Sequence, residues 1–547
     1  MDNEKMIQLI ESLNESQQKA VFSDSRHIVC LAGAGTGKTH SMLSRIKRLV
    51  MEGVDPESIL VLTFTNAAAF EMRRRFSKTS DCNTSPEFRT FHSFCYSLIS
   101  KDNSVRMSLG YSRIPKVTDS TYDKKLNGRA TAQCGIKPTP AMLLGKVDLS
   151  PKDKKDIEIF NKTRMRIMKQ DNLITFNYMC NGVCKMFQDR KPFIEKYLEK
   201  YKYIFVDEFQ DTDKAQFNFV MSFFDTSYIF VVGDALQNIY SFRGSDNSII
   251  KSLVDDENWT VIKLQDNYRS TVQICNFANK MSTYADEKYR IEIHSKRDGS
   301  NVQVMRLKSP YSVTGSVMRN MCDKLKGLEG YTAILCRTNN EVNTISDYLQ
   351  SAGISHMKGK QNDEYIHLIR CMYDDAYMLE WLSTFLDSEK YSEFIRLQTI
   401  TSEDREYTIV DFMHAFGRVW AVSTRYERVF QLRNLIAEAR PPIQNSVKDI
   451  IKVLGLSDKL ITKLEFVNMT EFLNWLSLLS SEEEDLDDTN VYVGTVHSSK
   501  GLEYDNVILV GVNSDTFRLQ SEDDNNLYYV GITRAKNNLI VYRNNES

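Results

Sequence analysis

Short runs of apolar and β-branched residues recur along the chain, separated by longer stretches with helical periodicity. This alternation is typical of parallel sheets whose strands are joined by crossover helices. The first group of predicted strands covers residues 28–31, 59–65, 203–206 and 228–232. The second covers residues 302–307, 332–336, 491–495, 507–512 and 539–542. Two groups of strands predict two α/β domains, in keeping with a length of 547 residues, which exceeds what one hydrophobic core usually serves.

Each group of strands is interrupted by a long segment without such runs. The first segment is 99–170, and within it residues 113–169 carry 14 Lys or Arg against 6 Asp or Glu. That excess fits either a solvated helical surface or an insertion that faces nucleic acid, and the sequence leaves both open. The second segment, 363–488, predicts helices, and its acidic end at 482–488 predicts a solvated loop.

Bulk composition excludes some classes of protein. The formal net charge is −2, which by itself does not indicate nucleic acid, although a local basic groove would suffice to grip phosphates. The ten cysteines are scattered, and Cys180 and Cys184 lack a second pair at zinc-finger spacing. We expect reduced structural thiols, with a metal cluster as the alternative. The polar N-terminus and the lack of a long apolar run predict a cytoplasmic protein without contact to a membrane.

A glycine-rich segment follows the first predicted strand and leads into a predicted helix. In such a loop the backbone N–H groups turn toward phosphate oxygens, the lysine meets the β and γ charges, and the hydroxyl after it binds Mg²⁺. Ala32 stands where the strict pattern has glycine. The residues predicted to hold the nucleotide in this way are Gly33, Ala34, Gly35, Thr36, Gly37, Lys38 and Thr39.

Two adjacent carboxylates, Asp207 and Glu208, follow the predicted strand 203–206. Phosphoryl transfer needs a metal anchor and a group that positions the attacking water. We therefore predict that Asp207 binds Mg²⁺ together with Thr39, and that Glu208 acts as the catalytic base. Lys38 completes this catalytic group, and ATP and Mg²⁺ are the expected cofactors.

Beyond these two segments, the chain resembles the UvrD/Rep/PcrA-like helicases of superfamily 1. Nine blocks match that family in the expected order, and they span both predicted domains. In addition to the phosphate loop they are LNESQ at 13–17, TFTNAAA at 63–69, TFHSF at 90–94, DEFQDT at 207–212, VGDALQNIYSFRG at 232–244, NYRS at 267–270, GTVHSSKGLE at 494–503 and YYVGITRA at 528–535.

The resemblance implies two RecA-like P-loop domains with parallel sheets, each carrying a mainly helical insertion. The expected boundaries are 1–98 and 171–266 for the first domain, 267–362 and 489–547 for the second, and 99–170 and 363–488 for the insertions. It also implies that Gln17 and Tyr268 hold the adenine and that Glu503 holds the ribose.

Three further side chains are implied to act on the γ-phosphate, namely Gln237, Arg269 and Arg534. The two arginines would reach over from the second domain to ATP on the first. Such arginines stabilise the charge of the transition state and can contribute about 10³–10⁵ in rate. They also make closure of the cleft depend on the γ-phosphate, so that hydrolysis moves the domains.

The resemblance also supplies candidates for contact with single-stranded DNA or a junction of single- and double-stranded DNA. Aromatic side chains would stack on bases and polar ones would touch the backbone. Phenylalanine replaces the usual tryptophan of the family at position 242. The candidates are Phe64, Asn66, Thr90, His92, Phe242 and His497.

The predicted insertions are short for the family. In this the chain resembles compact UvrD-like helicases that accompany a nuclease in bacterial anti-phage systems, such as the helicase subunit of Gabija. We therefore expect an ATP-dependent 3′→5′ helicase or translocase, in DNA repair or anti-phage defence, with a nuclease subunit as a partner. The alternative is a regulatory ATPase that senses nucleic acid and licenses a partner nuclease without unwinding. Both alternatives use the same residues.

Overall fold

A computed structural model describes residues 3–79, 84–118, 120–143, 150–240, 245–307, 311, 313–358, 408–440, 443–454 and 490–544, with shorter pieces between 368 and 397 and at 469 and 472. The chain forms two compact units. Unit 1 consists of Met1–Ser112, Phe176–Gly359 and Leu486–Ser547, and unit 2 of Arg113–Thr175 and Lys360–Asp485. The two segments of unit 2 overlap the two predicted insertions.

Fourteen strands are assigned among the described residues. In chain order they are β1 (His27–Ala32), β2 (Ile59–Thr63), β3 (Glu87–Thr90), β4 (Lys116–Thr118), β5 (Leu173–Thr175), β6 (Tyr203–Val206), β7 (Tyr228–Gly233), β8 (Thr260–Leu264), β9 (Gln303–Leu307), β10 (Thr332–Cys336), β11 (Met357–Lys358), β12 (Val491–Thr495), β13 (Tyr504–Val512) and β14 (Ala535–Asn544).

Helices alternate with the strands of unit 1 along the chain. They are α1 (Asn3–Glu11), α2 (Glu15–Phe22), α3 (Lys38–Met51), α4 (Asn66–Thr79), α5 (Phe91–Lys101) and α6 (Asn103–Ser108) before the first segment of unit 2. That segment contributes α7 (Ser120–Cys134), α8 (Pro140–Leu143) and α9 (Pro151–Gln170). The chain continues with α10 (Phe176–Gln188), α11 (Glu195–Lys200), α12 (Lys214–Met221), α13 (Asn247–Asp255), α14 (Val272–Met281), α15 (Gly315–Leu325) and α16 (Asn339–Ser351). The remaining described helices are α17 (Ile409–Phe416), α18 (Trp420–Glu438), α19 (Gln444–Leu454) and α20 (Glu522–Ile532).

Unit 1 contains two parallel sheets, in agreement with the predicted α/β class. Sheet 1 has the order β3-β2-β6-β7-β1-β8, and sheet 2 has the order β11-β12-β10-β13-β14-β9. Every described pairing within them is parallel. Because the central strands β1, β2 and β10 are buried at every residue, their sequences are continuous apolar runs, which is why periodicity predicted them.

Some strands were absent from the prediction, and most of them lie at sheet edges. Edge strand β3 has the sequence EFRT, in which charged residues alternate with buried ones. Edge strand β8 leaves most of its residues exposed or half-buried. The strands β4 and β5 form a two-stranded sheet. β4 lies inside the segment 99–170, which we expected to lack strands, and β5 follows that segment. Short or half-exposed strands give no long apolar run, so the pattern used for prediction does not find them.

Unit 2 has its own hydrophobic core, and its described residues in the second segment are mainly helical, as predicted. Buried residues from α17, α18 and α19 pack together there, among them Phe412, Val429 and Ile450. The acidic stretch predicted at 482–488 lies outside the described residues. Among the described helices of the whole chain, none combines the length and apolar character needed to cross a bilayer.

Candidate active site

The glycine-rich segment lies between the end of β1 and the start of α3, as predicted. Gly35 and Gly37 adopt φ values of 69° and 82°. A Cβ at Gly35 would lie 2.7 Å from the Cβ of Arg269, so both the backbone conformation and the space require glycine there. The hydroxyl of Thr36 donates to the carbonyl oxygen of Gly33 at 2.8 Å, which closes the loop on itself.

The outside of this loop is held by the chain that follows β8. The side-chain amide of Asn267 donates to the carbonyl oxygen of Ala34 at 2.6 Å. The backbone N–H of Tyr268 donates to the carbonyl oxygen of Gly35 at 2.9 Å. Asn267 is buried, and it was not among the predicted site residues. Together the two hydrogen bonds hold the shape of the loop from its outer side.

The predicted catalytic and metal-binding side chains converge at the carboxyl ends of β1 and β6. Lys38 Nζ lies 3.3 Å from Glu208 Oε2, and Thr39 Oγ1 donates to Asp207 Oδ2 at 3.4 Å. The carboxyl ends of parallel strands share one edge of a sheet, where ligands of open α/β sheets bind. The hydroxyl and carboxylate oxygens of Thr39 and Asp207 are the hard donors that Mg²⁺ prefers.

The two carboxylates differ in charge state. Burial and the neighbouring charge of Glu208 raise the pKa of Asp207 to about 7. Burial also acts to raise the pKa of Glu208, but the ammonium groups of Lys38 and Lys500 outweigh it and lower that pKa to about 2. Glu208 is therefore ionised at neutral pH. It is also strained, since its φ is 50° in a residue with a side chain.

A chain of hydrogen bonds leads from Glu208 to the second sheet. Gln210 donates to Glu208 Oε2 at 2.7 Å and accepts from the backbone N–H of Asp234 at 3.0 Å. The amide of Gln237 donates to Asp234 Oδ2 at 2.8 Å. Arg534 Nη2 donates in turn to Gln237 Oε1 at 3.2 Å. Gln210 and Asp234 were not among the predicted site residues, although both lie inside segments, DEFQDT and VGDALQNIYSFRG, that resemble the helicase family.

Both predicted arginines lie where the ends of the two sheets meet, and both donate hydrogen bonds to other residues of the chain. Arg269 Nε donates to Glu503 Oε2 at 2.8 Å, and its Nη1 donates to the carbonyl oxygen of Thr533 at 3.0 Å. Glu503 also pairs with Lys536 at 2.8 Å. Arg534 is buried, and burial together with the charge of Arg269 lowers its pKa to about 9. A nucleotide would have to compete with Glu503 for Arg269.

A buried ion pair also joins the two sheets, and the sequence analysis missed it. Lys500 Nζ lies 2.5 Å from Asp211 Oδ2 and donates to the carbonyl oxygen of Gln237 at 2.7 Å. Their side chains are 8% and 1% exposed. The other carboxylate oxygen of Asp211 has no hydrogen-bond partner among the described residues. Burial raises the pKa of Asp211 to about 6 despite the adjacent ammonium group.

The predicted adenine residues lie at the rim of the loop. The Gln17 amide donates to the carbonyl oxygen of Thr36 at 3.1 Å and accepts from the backbone N–H of Asn14 at 3.2 Å. The Asn14 side chain donates to the hydroxyl of Tyr268 at 2.7 Å. Tyr268 is 57% exposed, which leaves its side chain accessible to a flat base.

The predicted nucleic-acid residues divide into two groups. Phe64 stacks on Tyr240 with ring centroids 5.5 Å apart, and the ammonium group of Lys500 lies 4.8 Å from the centre of the Tyr240 ring. Asn66 begins α4, and His497 lies in a single 3-10 turn after β12. Phe242 lies outside the described residues.

The second group lies at the start of α5. Thr90 caps this helix, and its hydroxyl accepts the backbone N–H of Ser93 at 3.1 Å. Thr90 is buried, so capping accounts for its side chain. His92 lies in the first turn, with its ring edge-on to Phe176 at 5.6 Å.

Known helicase domains and proteins match the chain over nearly its whole length. The N-terminal domain of UvrD/REP helicases matches residues 13–258, and the C-terminal domain of UvrD-like helicases matches residues 262–365 and 355–546. The chain is 25% identical to the ATP-dependent DNA helicase PcrA of Bacillus subtilis over 98% of its own length and 83% of the relative. It is 26% identical to PcrA of Staphylococcus epidermidis over 97% and 83%, and 25% identical to DNA helicase II of Haemophilus influenzae over 98% and 84%.

Proposed function

Because the chain belongs to the UvrD-like helicase family, we propose that it is an ATP-dependent DNA helicase that moves 3′→5′ along single-stranded DNA. The direction is taken from the family resemblance, and the observation that supports coupling of hydrolysis to movement is the hydrogen-bond chain from Glu208 to Arg534. This chain connects Glu208, which lies next to the phosphate loop, with Arg534, which lies between α20 and β14. A change at the phosphate end can therefore reach sheet 2 through direct contacts.

The residues around the loop fit a nucleoside triphosphate with Mg²⁺. A Mg²⁺ ion bound by Thr39 and Asp207 would neutralise charge on the β- and γ-phosphates. Lys38 lies at the first turn of α3, where the helix dipole adds to its positive charge. It would exchange its contact with Glu208 for the phosphate oxygens.

Glu208 has the charge state that a catalytic base needs. It is ionised, held by Gln210, and strained in its backbone. We assign it the proton of the attacking water, which must be placed in line with the γ-phosphate. Gln210 would keep the carboxylate oriented while Lys38 turns to the phosphates.

The position of sheet 2 would depend on whether a γ-phosphate is bound, through Gln237, Arg269 and Arg534. Arg534 contacts Gln237 directly, and Arg269 is bound by Glu503 at the same junction. Negative charge developing on the phosphoryl oxygens would attract both guanidinium groups. Their contacts would tighten with the nucleotide and loosen after hydrolysis, which would alternate the grip of the two sheets on the DNA.

On the nucleic-acid side, the stacked pair of Phe64 and Tyr240 supports a platform for bases. Aromatic stacking is tolerant of sequence, as a translocating motor requires. Lys500 contacts both this pair and Gln237, so the proposed platform and the proposed phosphate sensor share one cation. A role in DNA repair or anti-phage defence, and a nuclease partner, stay predictions from the sequence.

Strand displacement from tailed duplexes tests the proposed activity. The substrates are a duplex with a 3′ single-stranded tail and a matched duplex with a 5′ tail, and ATP turnover is followed in the same reactions. We expect displacement from the 3′-tailed duplex alone, with Glu208→Gln as the inactive control. Displacement only from the 5′-tailed duplex would show that the protein moves 5′→3′ and that the proposed direction is wrong. ATP turnover that single strands stimulate, with neither duplex opened, would instead establish the regulatory ATPase.

A further inference from the structure

Three buried cysteines converge in unit 1, away from the nucleotide residues. Cys95 lies on α5, and Cys180 and Cys184 lie one turn apart on α10. The Cys180 sulfur is 4.0 Å from that of Cys95 and 3.9 Å from that of Cys184, and all three sulfurs lie within 4.8 Å of one another. From the sequence only Cys180 and Cys184 stand out as neighbours, because Cys95 precedes Cys180 by 85 residues.

These distances suit a shared metal ion. A Zn–S bond of about 2.3 Å and a tetrahedral angle place two coordinating sulfurs about 3.8 Å apart. A disulfide requires about 2.05 Å, so the present spacing is much closer to that of a shared ligand set. The nine cysteines that the structure describes are all free thiols, and this is the one group among them that meets the ligand spacing.

A polar side chain also reaches the group, since the amide of Gln216 on α12 donates a hydrogen bond to the Cys180 sulfur. An outer amide that donates to a ligand sulfur is a common second layer of support in metal sites. Buried thiols that serve only as packing have no need of this arrangement.

We propose that Cys95, Cys180 and Cys184 bind one Zn²⁺ ion, with His92 as the fourth ligand. His92 precedes Cys95 by three residues on α5, which puts both on one face of the helix. Its imidazole lies outside the 4.8 Å spacing that the three sulfurs share, so the ring would turn toward them to bind the ion. Three thiolates and one imidazole form one of the usual ligand sets of a closed structural zinc site. The proposal assigns His92 to the metal instead of to DNA.

The position gives this site a structural purpose. The helices α5 and α10 lie on either side of the first segment of unit 2, Arg113–Thr175, in the sequence. A metal bound between them would fasten the chain where it leaves unit 1 and where it returns. It would also fix the start of α5, where Thr90 caps the helix.

Metal analysis of the purified full-length chain tests the proposal. The apo protein is prepared with a chelator and titrated with Zn²⁺ against a chromophoric indicator, and bound metal is counted by mass spectrometry. We expect about one Zn²⁺ per chain for the wild type and for Cys275→Ser, a buried cysteine on α14 outside the group. We expect Cys184→Ser to bind at least about tenfold more weakly, as for loss of a metal-site group.

Protection from alkylation gives a second measurement that needs no variant. With Zn²⁺ present, Cys95, Cys180 and Cys184 should each react at least tenfold more slowly with a maleimide than in the chelated protein, whereas Cys275 should be unchanged. Equal Zn²⁺ binding by the wild type and Cys184→Ser, or no binding by the wild type, would overturn the proposal. Loss of two free thiols to a disulfide within the group would overturn it as well. If His92→Ala binds Zn²⁺ with normal affinity, the assignment of His92 as the fourth ligand is wrong.

Discussion

Replacement of Lys500 by methionine isolates the buried ion pair between the two sheets. Methionine preserves much of the apolar stem but removes the ammonium group that lies 2.5 Å from Asp211. In the wild type, burial holds the pKa of Asp211 at about 6, above its ordinary value of 3.8. The folded chain therefore binds this proton more tightly than the unfolded chain. As a result, the contribution of Asp211 to stability falls as the pH rises from about 4 to about 6.

The magnitude follows from the same pKa. Above pH 6 the wild type ionises Asp211, whereas a variant that keeps it protonated loses about 1.4 kcal/mol relative to the wild type for each further pH unit. In Lys500→Met the pKa rises further because the cation is gone, so Asp211 takes up a proton rather than remain an unpaired buried charge. The free energy of unfolding of the variant should therefore fall below that of the wild type by about 3 kcal/mol at pH 8. At pH 6 the deficit should be less than about 1 kcal/mol.

Thermal unfolding of the full-length chain at pH 6, 7 and 8 measures this deficit. The melting temperature of Lys500→Met should lie several degrees below that of the wild type at pH 8 and close to it at pH 6. The double variant Lys500→Met/Asp211→Asn should lose the share of this pH dependence that Asp211 causes, because an amide does not titrate in this range. A deficit that is constant from pH 6 to pH 8, or a pH dependence as large in the double variant as in Lys500→Met, would refute the reasoning.

Other variants test the site directly. Lys38→Ala should abolish phosphate release, whereas Glu208→Gln should bind a fluorescent ATP analogue normally and hydrolyse ATP at least about 100-fold more slowly; near-normal turnover would remove Glu208 as the base. Arg534→Ala should lower kcat by about 10³ with a much smaller change in ATP affinity, and a loss confined to affinity would contradict its action on the transition state. Phe64→Ala should weaken single-strand binding by about 1–3 kcal/mol in fluorescence anisotropy. A large fall in melting temperature without a change in DNA affinity would make Phe64 a packing residue.

The central strands and the phosphate loop could be predicted because their signals are local. The bounds of β6, β10 and β12 agree with the predictions, since each is a short apolar run between polar turns. The loop between β1 and α3 needs glycine for its own backbone, so its composition alone indicates its shape. Edge strands such as β3 carry charged residues toward solvent and give no comparable signal.

The contacts between distant segments could not be predicted in this way. Lys500 and Asp211 are 289 residues apart, and their pairing depends on how both sheets are ordered and joined. The same holds for Cys95, which meets Cys180 only because α5 and α10 pack together. Family resemblance named Arg534 and Gln237 as candidates, but only the coordinates supply the hydrogen bond between them.

The two residues that hold the outside of the phosphate loop also belong to the connection from sheet 1 to sheet 2. After β8 ends at Leu264 the chain passes Asn267 and Tyr268 before α14 begins. Rotation of one sheet against the other would act on this short stretch, which lies in the connection between them. It would thereby pull on the carbonyl groups of Ala34 and Gly35. The connection between the two sheets and the support of the phosphate loop thus share the same few residues. A substitution that makes this connection more rigid would therefore also change the rates at which nucleotide binds and dissociates.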